Sequence, residues 1–193
     1  MIDPQNEDPR DLARSATVSA SSEQPEGAAV NVLSGQTRAT HGPKGVAPKR
    51  MRSGVHRWMS DPAQGLPASL ELTWEQAVNV GEVQLIFDTG LHRVLTLSMS
   101  GGYTNVMQWG QPQEETVAAY KIEAECDGAW QTIAEVEDNY LRRRCHTVDK
   151  VVSTDRLRLT VLATHGQDHA RVCEIRVYPE AAPGFLQSAR IEA

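Results

Sequence analysis

The stretch VAAYKIEAECDGAWQTIAEV, residues 117–136, constrains the fold more than any other part of the chain. Tyr120, Ile122, Ala124 and Cys126 fall on one side of an extended backbone, and Lys121, Glu123 and Glu125 fall on the other. That period of two is the pattern of a strand with one buried face. Asp127-Gly128 follows at once, and a second strand pattern follows the pair. Both residues tolerate the positive φ that a type I′ turn requires, so a tight β-hairpin is predicted here.

The same pattern recurs along the chain. SATVSAS (15–21), ASLELTW (68–74), VGEVQLIF (80–87), RCHTVDKV (144–151), DRLRLTVLA (155–163) and RVCEIRVY (171–178) all read as strands. Val83, Leu85 and Phe87 share a face, as do Leu157, Leu159 and Val161, and Cys173, Ile175 and Val177. GAAVNVLSG (27–35) makes one helical turn before its glycine stop. About eight short strands with no amphipathic helix of useful length predict an all-β, antiparallel β-sandwich. The chain has 193 residues and fits one domain of about 150 residues with tails better than two domains. The sandwich is expected over 13–179, with an N-terminal tail over 1–12 and a C-terminal tail over 180–193.

Charge and composition exclude several classes of partner. The formal net charge is -6 and the pI is near 5.5, so no concentrated basic face is expected and nucleic acid is not a predicted partner. Lys49, Arg50, Arg52 and Arg57 are diluted by prolines and glycines, and LRRRC at 141–145 reads as a solvated strand edge. No apolar run approaches a membrane span, and MIDPQNEDPR lacks the features of a signal peptide. A soluble chain without a membrane partner is expected, with an extracytoplasmic setting left open if it belongs to a larger protein. Cys126, Cys145 and Cys173 show no CxxC spacing and all lie on predicted strands, so small buried thiols are expected rather than zinc, with at most one disulfide.

Function is therefore expected in loops. HRWMSDPAQGLPASLELTW (56–74) passes from a turn-rich loop straight into an alternating strand. Two long loops run over 38–57 and 88–116, and loops beyond about 12 residues in a compact domain are usually functional or disordered. The second carries Gly101-Gly102 between Leu97 and Tyr103. Sugars are held by aromatic faces against their C–H surface and by short polar groups on their hydroxyls. Asp88, His92, Arg93, Tyr103, Asn105 and Trp109 supply that mixture, and His165 and His169 of THGQDH are expected at the same end of the domain. The histidine spacing matches no zinc signature, and the bland reading is loop histidines that form hydrogen bonds. No G-x-S-x-G elbow is present. A lyase or glycosidase would need facing carboxylates, but alternation turns Glu71, Glu123 and Glu125 toward solvent.

The order of motifs resembles a known family. ATVSASSEQPEGAAVNVLSG, WMSDP, ASLELTW, VGEVQLIFD, YKIEAECDGAWQTIAEV and DRLRLTVLAT with ARVCEIRVYP together resemble the galactose-binding-like jelly roll of discoidin, coagulation-factor C-type domains and bacterial carbohydrate-binding modules. The resemblance implies a jelly-roll β-sandwich that binds a saccharide without catalysis. The SDP corner, FDTGLHR and ATHGQDHARVCEIRVY look most like the C-terminal modules of some bacterial FAD-dependent oxidoreductases. This implies a flavoenzyme domain in the same polypeptide or complex, with FAD held there, because this chain has no GxGxxG. An architectural domain that packs on such an oxidoreductase without holding sugar is the alternative. Within the family a Trp before the first sheet strand plugs the end of the core, and Trp58 is read that way ahead of ligand stacking. The resemblance also implies a structural Ca²⁺ near AAVNVLSGQTR with a Glu on the last strand. Glu174 matches that Glu but could equally pair with a nearby Arg, and Ser34 stands where an Asp ligand is expected, so a structural calcium is left open but disfavoured and no other cofactor is expected in this chain.

Overall fold

The computed structural model describes residues 6–37, 56–90, 108 and 110–180. Among these, the strands are β1 (Thr17–Ala20), β2 (Trp58–Met59), β3 (Ala68–Phe87), β4 (Val117–Cys126), β5 (Ala129–Val136), β6 (Arg143–Thr164) and β7 (Arg171–Tyr178). Hydrogen bonds join them in the order β2-β7-β3-β6-β4-β5, with β1 also on β3. All pairings are antiparallel.

The eight segments legible in the sequence all lie on strands, but two pairs of them run together. ASLELTW and VGEVQLIF form the 20 residues of β3, and RCHTVDKV and DRLRLTVLA lie on the 22 residues of β6. Each would be roughly 65–75 Å long if straight, which is more than the width of a domain of this size. They bend together instead, with register shifts between Thr73 and Val78 and between Val80 and Glu82. A shift of this kind is a bulge, which turns a strand sharply. The first half of β3 and the second half of β6 therefore join β1, β4 and β5 in one layer. Their other halves join β7 and β2 in the second layer.

The core lies between the layers. Leu70, Leu72, Val83, Leu85, Phe87, Tyr120, Ile122, Leu157, Leu159, Val161, Val172, Ile175 and Val177 are buried in one cluster. Each fully buried large apolar side chain contributes about 1.5–3 kcal/mol. Trp58 has no exposed surface and donates its indole N–H to the Ser22 carbonyl at 2.9 Å, so it is the core plug rather than a ligand platform. One expected inward position moves. A register shift between Ile86 and Phe87 brings Val172 into the core cluster and leaves Cys173 buried outside it. Cys126 is half-buried and Cys145 exposed, and all three thiols are free. Arg143 and Arg144 lie on the edge of the second layer, but Arg143 is tied to Gln84 at 2.7 Å and is not simply solvated.

The hairpin turn has the expected geometry, with φ of 52° at Asp127 and 79° at Gly128. Residues 6–12, expected as tail, pack into the fold. Asp11 is buried and its Oδ1 accepts from the Ala13 and Val177 N–H groups at 3.2 and 3.0 Å, closing the edge of β7. Glu123, expected in solvent, is buried on the outer face of the first layer. There Arg158 Nη2 and Lys121 Nζ both donate to it at 2.9 Å. Arg156 joins Glu71 to Glu125, and the Trp130 ring lies under both arginines, at 4.0 Å from Arg158 and 5.2 Å from Arg156.

A polar contact also crosses the core. The Tyr120 hydroxyl of the first layer lies 2.8 Å from Nε2 of His146 in the second, with the rings edge to face at 5.7 Å. Burial, aided by the charge of Arg144, holds His146 down to about 4 from 6.5. The ring is thus neutral at pH 7 and accepts the Tyr120 hydrogen. An unfolded chain binds this proton below about pH 6.5 and the folded chain only below about 4, so stability is retained above that window and lost as pH falls through it. The loss is expected to reach at most roughly 3 kcal/mol. In urea unfolding at pH 7, 5.5 and 4, His146→Gln, which keeps an acceptor for Tyr120, should flatten this part of the profile. An unchanged slope in that variant would assign the acid sensitivity elsewhere.

Candidate functional site

Antiparallel register collects the long connections at one end. Ala20 pairs with Leu70, Ala68 with Val161, Val117 with Thr164, Ile86 with Arg143 and Met59 with Arg171. The β1–β2, β2–β3, β3–β4, β5–β6 and β6–β7 connections therefore all leave from the same end. The opposite end holds the Asp127-Gly128 turn and the bends of β3 and β6. A rigid scaffold with loops gathered at one end is the usual arrangement of a recognition site on a sandwich.

Charged side chains tie these loops together. Asp88, at the exit of β3, is 2% exposed; Arg57 Nη1 meets its Oδ2 at 2.6 Å and Gly90 N–H donates to its Oδ1 at 2.9 Å. Arg171 Nη1 stands 3.8 Å from the same Oδ2 and its Nε donates to His169 Nε2 at 2.9 Å. The His169 ring hydrogen is then left on Nδ1, 2.7 Å from Asp168 Oδ1, and this bond holds the Asp168 carboxyl below its ordinary value. Arg171 also reaches Gln167, which donates to Glu114, which accepts from Gln108. His165 Nε2 lies 2.8 Å from the Asn139 carbonyl, linking the β6–β7 turn to the β5–β6 loop.

The structure thus brings Asp88 and His169 into one network and places His165 at its side. Asp88 and His169 are buried, so they hold loops in place beneath the surface, whereas His165 is exposed. His92, Arg93, Tyr103, Asn105 and Trp109 lie outside the described residues, as do Lys49, Arg50, Arg52 and the Gly101-Gly102 pair. Sequence reasoning missed Arg57 and Arg171 as partners of Asp88, and Asn139 as a loop anchor. No local pattern announces them, because Arg57 and Asp88 are 31 residues apart and meet only when β2 and β3 are in place.

Glu174 stands apart from this network. It has no exposed surface, and its Oε2 accepts from Arg176 Nη2 at 2.9 Å. Ser34 offers its carbonyl to Arg14 Nη1 at 3.5 Å, and Arg14 also donates to the Asn6 carbonyl. The Arg14 guanidinium crosses so close over Gly35, whose φ is 79°, that a Cβ there would collide with it. Arg176 offsets the Glu174 charge in part, while Glu174 Oε1 is buried without a hydrogen-bond partner among the described residues. Among the described residues no group of three or more His, Cys, Asp or Glu side chains is placed to hold a metal. A cleft of about 400 Å³ opens at the opposite end, between Ile133, Val148 and Val152, but it offers no aromatic face. Among the described residues no helix is long and apolar enough to cross a membrane.

No protein-family model and no curated protein matches the chain. Solved structures do match. The family 32 CBM from C. perfringens NanJ, solved in complex with galactose, superposes with a TM-score of 0.58 at 20% identity, covering 86% of this chain and 95% of that one. The fold is that of family 32 carbohydrate-binding modules. The module from Streptococcus pneumoniae EndoD gives 0.59 at 18% identity, covering 89% of this chain and 99% of its own. SpGH29 gives 0.59 at 20% identity over 89% of this chain, which spans only 28% of that larger protein. At these identities the likeness is one of fold, and function has to be argued from the site.

The Arg57–Asp88 pair should dominate the stability of the loop end. Asp88→Asn leaves the Arg57 charge buried beside a neutral amide, and losing one partner of a buried pair typically costs about 3–5 kcal/mol. Chemical denaturation should show a loss of that order, and hydrogen exchange should rise in the β6–β7 turn. A loss under about 1 kcal/mol would mean that the pair carries little of the loop anchoring.

Proposed function

We propose that this chain is a non-catalytic carbohydrate-binding module that works within or beside a larger enzyme, with its saccharide site at the loop-rich end. The observation that carries the reading is the cross-linked loop end on a family 32-type sandwich: Arg57, Asp88, Arg171 and His169 hold the bases of three connections. A preorganised base lets exposed side chains meet a ligand at lower entropic cost. The structural neighbour bound to galactose and the larger SpGH29 support the saccharide and the larger partner. Asp88, His165 and His169 are the described members of this site. His92, Arg93, Tyr103, Asn105 and Trp109 are proposed contacts on their chemistry.

The outer-face carboxylates argue against a catalytic role. Burial tends to raise Glu123, but its bonds from Lys121 and Arg158 prevail and its pKa is lowered. A general acid for glycoside cleavage needs the opposite shift. The flavoenzyme partner rests on the likeness of the SDP corner, FDTGLHR and ATHGQDHARVCEIRVY alone.

Two experiments test the reading. Calorimetric titration of the full chain with a panel of mono- and oligosaccharides should detect weak binding, and Trp109→Ala and Tyr103→Ala should each abolish it without unfolding the protein. Unfolding of both variants, or a flavoenzyme domain that co-purifies with a chain binding no sugar, would favour the architectural role. For metal, we infer that Arg176 beside Glu174, with Ser34 standing where a carboxylate ligand would be, makes calcium unnecessary, so EDTA and added Ca²⁺ should both leave the melting temperature unchanged. A ligand at a hundredfold excess over its dissociation constant stabilises by about 2.7 kcal/mol. A rise of several degrees with Ca²⁺ would therefore reveal a bound ion.

A further inference from the structure

The β5–β6 loop holds a tyrosine in solvent on an unusually firm base. Tyr140 is 61% exposed and Leu141 37% exposed, at the loop-rich end. Exposure of a single apolar residue means nothing by itself. Between β5 and Tyr140, however, stands Asn139, which has no exposed surface. Its main-chain N–H donates to the Ala118 carbonyl at 2.8 Å, and its Nδ2 donates to the Val117 and Leu141 carbonyls at 2.7 and 3.1 Å. Its Oδ1 accepts from Leu141 N–H at 3.2 Å, and its carbonyl accepts from His165 Nε2 at 2.8 Å. Every donor and acceptor type of this residue is engaged. The backbone on both sides of Tyr140 is thereby pinned to β4 and to the β6–β7 turn. After Leu141, Arg142 is tied to Thr89 Oγ1 at 3.2 Å and to the Thr37 carbonyl.

We propose that Tyr140 is an aromatic platform for a neutral pyranose ring, with His165 beside it as hydrogen-bonding partner. This rests on the saccharide reading above and assigns it a contact residue in the β5–β6 loop. A tyrosine has few torsions to freeze and a flat apolar face, so a pre-fixed ring binds a C–H surface at low entropic cost. With Nε2–H given to Asn139, the His165 ring presents Nδ1 as an acceptor for a sugar hydroxyl. Glu137 and Asp138, both exposed, flank the loop and disfavour a carboxylate-bearing sugar.

The test is an NMR titration of the full chain with neutral monosaccharides and disaccharides and with the matching uronic acids, for wild type, Tyr140→Ala and Tyr140→Phe. Expected are at least a tenfold loss of affinity in Tyr140→Ala, affinity within twofold of wild type in Tyr140→Phe, and neutral sugars preferred to uronates. Both variants should keep the wild-type melting temperature, because the ring is exposed. Binding that Tyr140→Ala leaves unchanged would overturn the platform and leave the saccharide reading standing. Equal losses in the Ala and Phe variants would place the contact in the hydroxyl and also overturn it. Preference for uronates would overturn the neutral ligand, and a wild type that binds no saccharide would overturn both readings.

Discussion

The fold depends on the pairing of β3 with β6. These two strands are hydrogen-bonded from Ala68–Val161 to Ile86–Arg143 and pass together from one layer into the other. Neither could bend alone, because each bend breaks ladder bonds that the other must re-form in shifted register. Once they turn together, their two halves template separate layers, and β1, β4, β5 and β7 add to the available edges. The apolar faces of the two layers are then forced to meet, which encloses Trp58, Tyr120 and Phe87.

That route through two layers also explains how polar groups come to be distributed. Between the layers a tyrosine–histidine contact links opposite strands, and it is tolerable because the neutral imidazole satisfies the hydroxyl. On the outer face of the first layer, charges alternate across strands and pair, covering Trp130. This lattice keeps a flat, open sheet from offering an apolar face to another chain. At the loop end, buried ions are used for positioning. Asp88 serves Arg57, Gly90 and Arg171 at once, so the entry to β2, the exit of β3 and the start of β7 are fixed relative to each other. Recognition at such an end would draw on side chains above this base, in contrast to the cleft at the other end, which Thr132, Ile133, Val148 and Lys150 line without an aromatic ring.

The hairpin at 126–129 and the strand faces of β3, β4, β6 and β7 were legible in the sequence. They follow from local rules: alternation dictates a face, and Asp127-Gly128 accepts the φ values the turn needs. The depth of a position was less legible. Glu123 has the alternation of a solvent-facing residue, yet Arg158, Lys121 and the neighbouring Trp130 strand bury it. Cys173 obeys the alternation of RVCEIRVY, yet a bulge opposite Phe87 changes which neighbour faces the core. Neither the cross-strand partner nor the bulge is written in the segment itself.

By itself the sequence determined the class of fold and the Asp127-Gly128 turn, because these arise from periodicity and backbone preference within a few residues. Only the tertiary structure decided that β3 and β6 each serve both layers, that Arg57 and Arg171 share Asp88, and that Asn139 locks the loop carrying Tyr140. Those features join residues far apart in the chain, such as Arg57 with Asp88 and Asn139 with His165. Such contacts form only after loop closure has been offset by the burial of the core, so no local pattern can encode them.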